Sequence, residues 1–143
     1  MRIIGHGIDI VETARIARLL DEHGDRFLDR CFTPAERDYV SDRRRMVEHL
    51  AGRFAAKEAV LKVLGTGWTG GIAWTDVEIT REPSGRPTVL LHGQCRDLAQ
   101  RLGIDQWWIS ISHISTHATA SAIGVARDQP PRHQGHQEGN DRN

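Results

Sequence analysis

The longest regular pattern in the sequence is a helical stretch over residues 47–64, in which most positions are apolar. A helix that is apolar on nearly all sides has to be buried, so the rest of the chain must pack around it. The stretch stops at Gly65-Thr66-Gly67, where glycine supplies the positive φ angles of a helix C-terminus. Over residues 53–64, where most interior positions are Ala, Val or Leu, one carboxylate, Glu58, and two lysines, Lys57 and Lys62, are set into this pattern. We therefore expect a long central helix with charged groups set into it.

Shorter patterns on both sides of this helix predict an α+β fold with an antiparallel sheet. Period-two alternation or short β-rich runs predict strands over 3–11, 76–80, 88–91, 107–112 and 118–126. Apolar residues at helical spacing predict helices over 13–20 and 94–102. A third short helix should run from Thr33 to about Asp42, because Thr33-Pro34-Ala35-Glu36 has a cap, a proline and a glutamate at the positions typical of a helix start.

The size and composition of the chain predict one domain and a polar tail. The domain is expected over residues 1–126 of the 143, and residues 127–143 are expected to be disordered, because they have no apolar periodicity. Nineteen basic and nineteen acidic residues cancel, which argues against a nucleic-acid partner. No apolar run is long enough to span a membrane, and the start does not resemble a signal peptide. With two isolated cysteines, Cys31 and Cys95, the chain is expected to be a cytoplasmic protein with reduced thiols.

Asp9 lies inside an apolar stretch, Gly7-Ile8-Asp9-Ile10-Val11. A carboxylate there costs free energy unless it caps a helix, pairs with a cation or binds a metal. Because a helix is predicted to begin a few residues later, and aspartate is a common cap, capping is one interpretation. A metal ligand is the other.

Glu58 lies on the same helical face as Phe54 and Leu61. One interpretation is an ion pair with Lys62 one turn later, worth only a few tenths of a kcal/mol. That pair does not explain why a charged group lies on a face expected to pack inwards. The other interpretation is functional, because Mg²⁺ takes one or two protein carboxylates and completes its coordination with phosphate oxygens and water. Two carboxylates from separate elements, with lysines nearby, suit such a site.

His113 closes the predicted strand Ser110-Ile111-Ser112-His113. It is either structural or, at a phosphate site, a hydrogen-bond donor or proton shuttle. The run Arg43-Arg44-Arg45 is interpreted as a solvated face or loop. The sequence contains no Gly-x-Ser-x-Gly elbow, P-loop or His-Glu-x-x-His pattern.

Several blocks of sequence, in order, resemble the bacterial holo-acyl-carrier-protein synthases, a family of 4′-phosphopantetheinyl transferases. The opening motif of the family is matched here by Gly7-Ile8-Asp9-Ile10-Val11 followed by Arg15-Ile16, and then by Phe32-Thr33-Pro34-Ala35-Glu36. The central signature of the family is matched by residues 51–59 (AGRFAAKEA) with Lys62 and Gly65-Thr66-Gly67. Ser84-Gly85-Arg86-Pro87 resembles the family's nucleotide-side turn, and Ser110-Ile111-Ser112-His113 its closing motif. Together the blocks span residues 3–126.

The resemblance implies a compact α+β transferase fold, Mg²⁺ as cofactor and coenzyme A as co-substrate. It implies that Asp9 and Glu58 hold Mg²⁺ together with the pyrophosphate of CoA, and that Glu58, Lys62 and His113 are catalytic. The residues implied to contact CoA are Arg53, Lys62, Gly65, Gly67, Gly85, Arg86 and His113. The residues implied to bind the carrier protein are Arg15, Arg26 and Arg30. The family also implies a homotrimer with active sites at the subunit interfaces.

The implied reaction is attack by a serine hydroxyl of acyl carrier protein on the β-phosphate of CoA, with release of adenosine 3′,5′-bisphosphate. Glu58, directly or through a metal-bound water, would accept the serine proton. The alternatives are the same chemistry on a polyketide or peptide carrier, and a CoA-binding module without catalysis. Against the latter, a mere binder would not need both metal carboxylates. Three tryptophans, Trp68, Trp107 and Trp108, depart from the family pattern, and the sequence assigns them no role.

Overall fold

The computed structural model describes residues 1–37 and 42–128, which form a mixed fold of helices and antiparallel strands. The predicted α+β class is thereby confirmed. In chain order the elements are β1 (Arg2–Glu12), α1 (Thr13–His23), α2 (Asp25–Cys31), α3 (Pro34–Arg37), α4 (Arg43–Leu64), a 3₁₀ turn (Trp74–Asp76), β2 (Val77–Arg81), β3 (Pro87–Leu91), α5 (Gly93–Leu102), β4 (Gln106–His113) and β5 (His117–Ala126).

The strands form two antiparallel sheets. The larger sheet has the order β1-β5-β4, and β2 and β3 form a separate hairpin around the predicted turn. In the larger sheet Asp9 pairs with Ala120 and Trp108 pairs with Ile123. All five predicted strands are present, and their ends differ from the prediction by one residue in most cases.

Helix α4 is the central element, as predicted, and packs against β1, β5, α1 and β2. It begins at Arg43, four residues before the prediction, because the side chain of Asp42 accepts a hydrogen bond from the Arg45 amide at 2.9 Å and caps the helix. It ends at Gly65, whose φ of 78° confirms the predicted C-cap.

The region before α4 is only partly as predicted. The helix predicted from Thr33 to about Asp42 is present over Pro34–Arg37, and Asp42 itself is extended. Residues 38–41 lie outside the described part of the chain, so the end of this helix stays a prediction. Helix α2 was not predicted, because it is only seven residues long and follows α1 after a single glycine, Gly24.

A buried ion pair joins α3 to α4. The capping box predicted at Thr33 and Glu36 is present, with the Thr33 amide donating to Glu36 Oε1 at 3.0 Å. The same oxygen accepts from Lys57 Nζ at 2.8 Å, and both side chains are fully buried. Burial lowers the pKa of Lys57, and the charge of Glu36 opposes that shift. Lys57 therefore serves the fold, whereas the second lysine of the helix, Lys62, reaches the surface.

Within residues 1–37 and 42–128 no helix is long and apolar enough to cross a membrane. Both cysteines, Cys31 and Cys95, are free and buried. Most of the predicted polar tail, 127–143, lies outside the described residues, so its disorder and the domain boundary at 126 stay predictions.

Candidate active site

Strand β1 passes α4 so closely that one of its residues has to be glycine. A Cβ at Gly7 would lie 2.1 Å from the Ala59 carbonyl oxygen and 3.0 Å from Lys62 Cβ. Side chains two residues apart on a strand lie on the same face, so Asp9 faces α4 as Gly7 does. The close contact therefore brings Asp9 to the last turns of the helix.

Asp9 pairs with Lys62 across this contact. Lys62 Nζ donates to the Ile8 carbonyl oxygen at 2.8 Å and lies 3.3 Å from Asp9 Oδ1. The interpretation of Asp9 as a helix cap is wrong, because Glu12 is the N-cap residue of α1 and no side chain caps that helix. The ion pair found for Lys62 in the described residues is with Asp9, not with Glu58 one turn earlier.

Glu58 completes a cluster with this pair. Burial raises the pKa of its carboxyl group, and the nearby charge of Asp9 raises it further. The indole N–H of Trp68 lowers it, as do the charges of Arg15 and Lys62. Two carboxylates from different elements thus lie close together beside cations, which is the arrangement predicted for Asp9 and Glu58.

Trp68 reaches this cluster as the end of an aromatic stack. Its ring lies on Trp74 with centroids 3.6 Å apart, and Trp74 lies on Phe54 at 4.4 Å. The Arg15 guanidinium lies over the ring at the opposite end of the stack, 5.3 Å from the Phe54 centroid. Trp68 Nε1 is buried and has no hydrogen-bond partner within the described residues, so the N–H is near Glu58 without being aligned as a hydrogen bond.

A cleft next to the stack contains the three predicted carrier-binding arginines. It has a volume of about 390 Å³, and its apolar floor includes Phe54 and Trp74. Arg15, Arg26 and Arg30 all line it. The structure therefore brings these residues together although Arg26 and Arg30 lie on the unpredicted helix α2.

A second, larger cleft of about 530 Å³ contains other predicted residues. Arg53, Gly85 and His113 line it. Its remaining lining residues are Arg45, Glu48, His49, Gly52, Arg81, Pro87 and Ile111. His113 Nδ1 lies 3.6 Å from Glu48 Oε2. Because three arginines, Arg45, Arg53 and Arg81, line this cleft with one glutamate, Glu48, it suits an anionic ligand.

Arg86 is a predicted CoA residue that does not line this cleft. Its guanidinium lies over the Trp108 ring, 4.8 Å from the centroid, and donates to both carboxylate oxygens of Glu82 at 3.0 and 3.2 Å. The neighbouring residues Gly85 and Pro87 form the cleft wall instead. Trp108 thus has a clear contact, while Trp107 packs against the core.

The two groups of predicted residues lie on different sides of α4. Arg53 and Lys62 are nine residues apart on that helix, which is a rotation of about 180°. Asp9, Glu58 and Lys62 are not among the described residues that line the 530 Å³ cleft. Within one chain the structure therefore does not bring His113 to Glu58 and Lys62.

Gly65 and Gly67 follow Lys62 in an exposed turn. Both have positive φ, at 78° and 57°, and a Cβ at either would meet nothing within 4 Å. Backbone conformation, rather than a close approach inside the chain, therefore explains these glycines.

Three arginine or histidine residues of the larger cleft were not predicted to line it. From the sequence, Arg45 is assigned to a solvated basic run, whereas in the structure Arg45 lines the cleft. His49 lies one helical turn before Arg53, so helical spacing could have placed it on the same face. Arg81 is the last residue of β2, immediately before the turn. The sequence does not reveal whether the side chain of Arg81 or that of Arg86 faces the cleft.

Comparison with known proteins identifies the family. The family model described as "4'-phosphopantetheinyl transferase superfamily" matches residues 5–134. A holo-[acyl-carrier-protein] synthase of Koribacter versatilis is 50% identical over 121 residues, which cover 85% of this chain and 97% of that protein. One of Desulforudis audaxviator is 47% identical over 130 residues, 91% of this chain and 98% of the relative.

Solved structures agree with this similarity. The holo-[acyl-carrier-protein] synthase of Neisseria meningitidis has a TM-score of 0.77 and 31% identity, with 87% of this chain and 99% of that chain covered. The enzyme of Helicobacter pylori, solved in complex with coenzyme A, has a TM-score of 0.71 and 29% identity, covering 85% and 100%. The chain belongs to the holo-acyl-carrier-protein synthases of the 4′-phosphopantetheinyl transferase superfamily.

Proposed function

We propose that this protein transfers the 4′-phosphopantetheine group of coenzyme A to a serine of apo-acyl carrier protein for fatty acid biosynthesis, and releases adenosine 3′,5′-bisphosphate. The observation that carries the proposal is the cluster of Asp9, Glu58 and Lys62, in a chain half identical to a curated holo-[acyl-carrier-protein] synthase over nearly that enzyme's whole length. The relative from Helicobacter pylori, solved with coenzyme A, supports the co-substrate.

Asp9 and Glu58 suit Mg²⁺. No group of three or more ligating side chains is found in residues 1–37 and 42–128, so the protein offers two carboxylates and not a complete cage. That is the donor set expected of Mg²⁺ sites in which phosphate oxygens and water fill the other positions. Mg²⁺ bound there would offset the negative charge of the CoA pyrophosphate.

The side chains of the cluster supply the rest of the chemistry. The serine oxygen forms a bond to the β-phosphorus as the bond from that phosphorus to the bridging oxygen breaks, and the electron pair leaves with adenosine 3′,5′-bisphosphate. Glu58 is the acceptor for the serine proton, and its raised pKa makes it a stronger base than an ordinary glutamate. Lys62 stabilises negative charge on the phosphates.

The arginine cleft is the proposed docking site for the carrier protein. Arg15, Arg26 and Arg30 surround an apolar floor, so an acidic helix with apolar side chains would complement both charge and surface. The charge of Arg15 also lowers the pKa of Glu58. We therefore place this cleft beside the cluster of Asp9, Glu58 and Lys62, where the serine of the carrier protein would react.

We further propose a homotrimer with each active site shared by two subunits. In one chain the metal pair and the cleft of Arg53, Gly85 and His113 lie on different sides of the buried helix α4, and a neighbouring subunit could bring its own copy of the cleft to the metal pair. The outer face of the larger sheet exposes Ile8 by 59%, Ile10 by 66% and Trp108 by 41%. Such an apolar face is suited to a second copy of the chain.

We place this activity in residues 1–126 and in the cytoplasm. The two buried cysteines are unpaired, which suits a reducing compartment.

The activity is tested by incubating the protein with CoA, Mg²⁺ and apo-acyl carrier protein and weighing the carrier by mass spectrometry. The carrier should gain one phosphopantetheine group. Asp9→Ala and Glu58→Ala should abolish transfer and leave the thermal midpoint close to that of the parent, because neither side chain fills core volume. Near-normal turnover by either folded variant would contradict the metal assignment.

The shared site is tested by complementation between two inactive variants. Glu58→Ala disables one half of the site, and His113→Ala disables the half-exposed histidine of the other cleft. After co-refolding in equal amounts, random mixing gives about one intact site in four. A mixture as inactive as its parts, or an active monomer by light scattering, would refute the shared site.

A further inference from the structure

We propose that Trp68 is a positioning residue whose indole N–H holds the Glu58 carboxylate in place for a divalent cation. The inference depends on the proposed function, because that function makes Glu58 a metal ligand. It concerns a tryptophan to which the family resemblance gives no role.

The first observation is a buried donor without an acceptor. Trp68 Nε1 is inaccessible to solvent and has no hydrogen-bond partner within the described residues. A buried N–H in this state costs free energy, and native structures rarely retain one without a reason. The carboxylate that the stack places on this side of α4 is Glu58, one helical turn after Phe54, and the indole N–H lowers the pKa of that carboxyl group. A rotation about the terminal torsion of Glu58, which is soft, would align the two groups.

The second observation is the rigidity of the donor. Trp68 follows the glycines after α4, in a segment without helix or strand, yet its ring is fixed on Trp74 at 3.6 Å and an interplanar angle of 28°. Trp74 is in turn stacked on Phe54 at 4.4 Å and 25°. Phe54 lies on α4 one turn before Glu58, so the stack ties the indole to the helix face that carries the carboxylate.

A hydrogen-bond donor that is fixed beside a metal-binding carboxylate orients that carboxylate and raises its affinity for the metal. Asp9 and Glu58 repel each other when no cation lies between them, and a neutral N–H can orient one carboxylate without removing its charge. Loss of such an outer hydrogen bond typically lowers metal affinity by about 10- to 100-fold. Trp68→Phe keeps an aromatic ring for the stack and removes only the N–H. It should therefore weaken metal binding without unfolding the site.

The experiment titrates Mn²⁺ into the full-length protein and follows free Mn²⁺ by electron paramagnetic resonance. One arm contains saturating CoA without carrier protein, so that no transfer occurs, and the other contains the metal alone. We expect the Mn²⁺ dissociation constant of Trp68→Phe to rise by about tenfold or more, with an unchanged thermal midpoint. The matched control is Trp74→Phe, the same change one ring further along the stack, which should leave metal affinity unchanged. Trp68→Leu should lower both metal affinity and the thermal midpoint.

Three results would overturn the inference. These are a Trp68→Phe affinity within twofold of the parent, an equal loss in Trp74→Phe, and no Mn²⁺ binding by the parent in either arm. The second result would mean that the stack, and not the N–H, holds Glu58. A parent that binds Mn²⁺ but transfers nothing would refute the proposed function, and the metal affinities would still decide the role of Trp68.

Discussion

Lys57→Met is expected to destabilise the fold by about 3–5 kcal/mol, because it breaks a buried ion pair and leaves the partner charge uncompensated. Lys57 Nζ lies 2.8 Å from Glu36 Oε1, and neither side chain is exposed. The ammonium also donates to the carbonyl oxygens of Trp74 and Val77. All three of its N–H groups are therefore used in joining α4 to α3 and to the start of β2.

Glu36 has its own requirements in this network. Its carboxylate accepts from the backbone amides of Thr33 at 3.0 Å and Ile79 at 3.1 Å. Glu36→Gln keeps an acceptor oxygen but leaves the Lys57 ammonium buried without a counter-charge. The double variant Glu36→Gln/Lys57→Met removes both charges, so its loss should be smaller than the sum of the single losses by about 1–3 kcal/mol.

The assay is chemical denaturation followed by tryptophan fluorescence. All proteins are compared at one protomer concentration, because self-association would make the transition depend on concentration. Lys62→Met is the control on the same helix, since the Lys62 side chain is half exposed and its ion pair should contribute less than about 1 kcal/mol. A loss below about 1 kcal/mol for Lys57→Met, or strictly additive losses in the double variant, would refute the reasoning.

Three further predictions concern the close contact, the carrier cleft and acid stability. Gly7→Ala places a methyl group 2.1 Å from the Ala59 carbonyl oxygen, so it should cost about 1–3 kcal/mol in denaturation and reduce transfer by moving β1 from α4; full activity would contradict this. Arg15→Glu should raise the KM for carrier protein much more than that for CoA, and added salt should weaken carrier binding by the parent; equal effects on both substrates would be inconsistent. Burial, with the charge of Arg53, lowers the pKa of His49 to about 4. As the pH falls, His49 therefore takes up a proton near pH 6.5 in the unfolded chain but only near pH 4 in the folded protein. The free energy of unfolding should decrease as the pH falls through this range. His49→Gln should flatten that dependence in denaturation curves, and an unchanged slope would exclude His49 as its source.

The sequence was sufficient where a local period decides the structure. Alternation in β1 and the apolar pattern of α4 predict both elements, and the glycine-rich turn predicts the end of the helix. Local spacing also suggested a Glu58–Lys62 pair, whereas Lys62 pairs with Asp9 from a different element. That choice depends on how closely β1 approaches α4, which a single sequence does not reveal.

Glu36 illustrates the same limit. The sequence predicts its part in a capping box, and that part is confirmed, because the interaction is three residues long. The bond to Lys57 joins residues 21 positions apart, and no local pattern points to it. Helix α2 was missed because its seven residues offer few apolar positions from which to read a period.

Two of the three tryptophans connect these observations, because the family pattern gives them no role and yet they lie at residues that it predicts to be functional. Trp68 lies beside Glu58, and Trp108 lies under the guanidinium of Arg86. Aromatic rings are suited to this role, since they offer a large rigid surface at a small entropic cost and bind guanidinium groups on their faces. Substitution of Trp68 or Trp108 should therefore change the affinity for metal, CoA or carrier protein before it changes the chemistry that we propose for Asp9, Glu58 and Lys62.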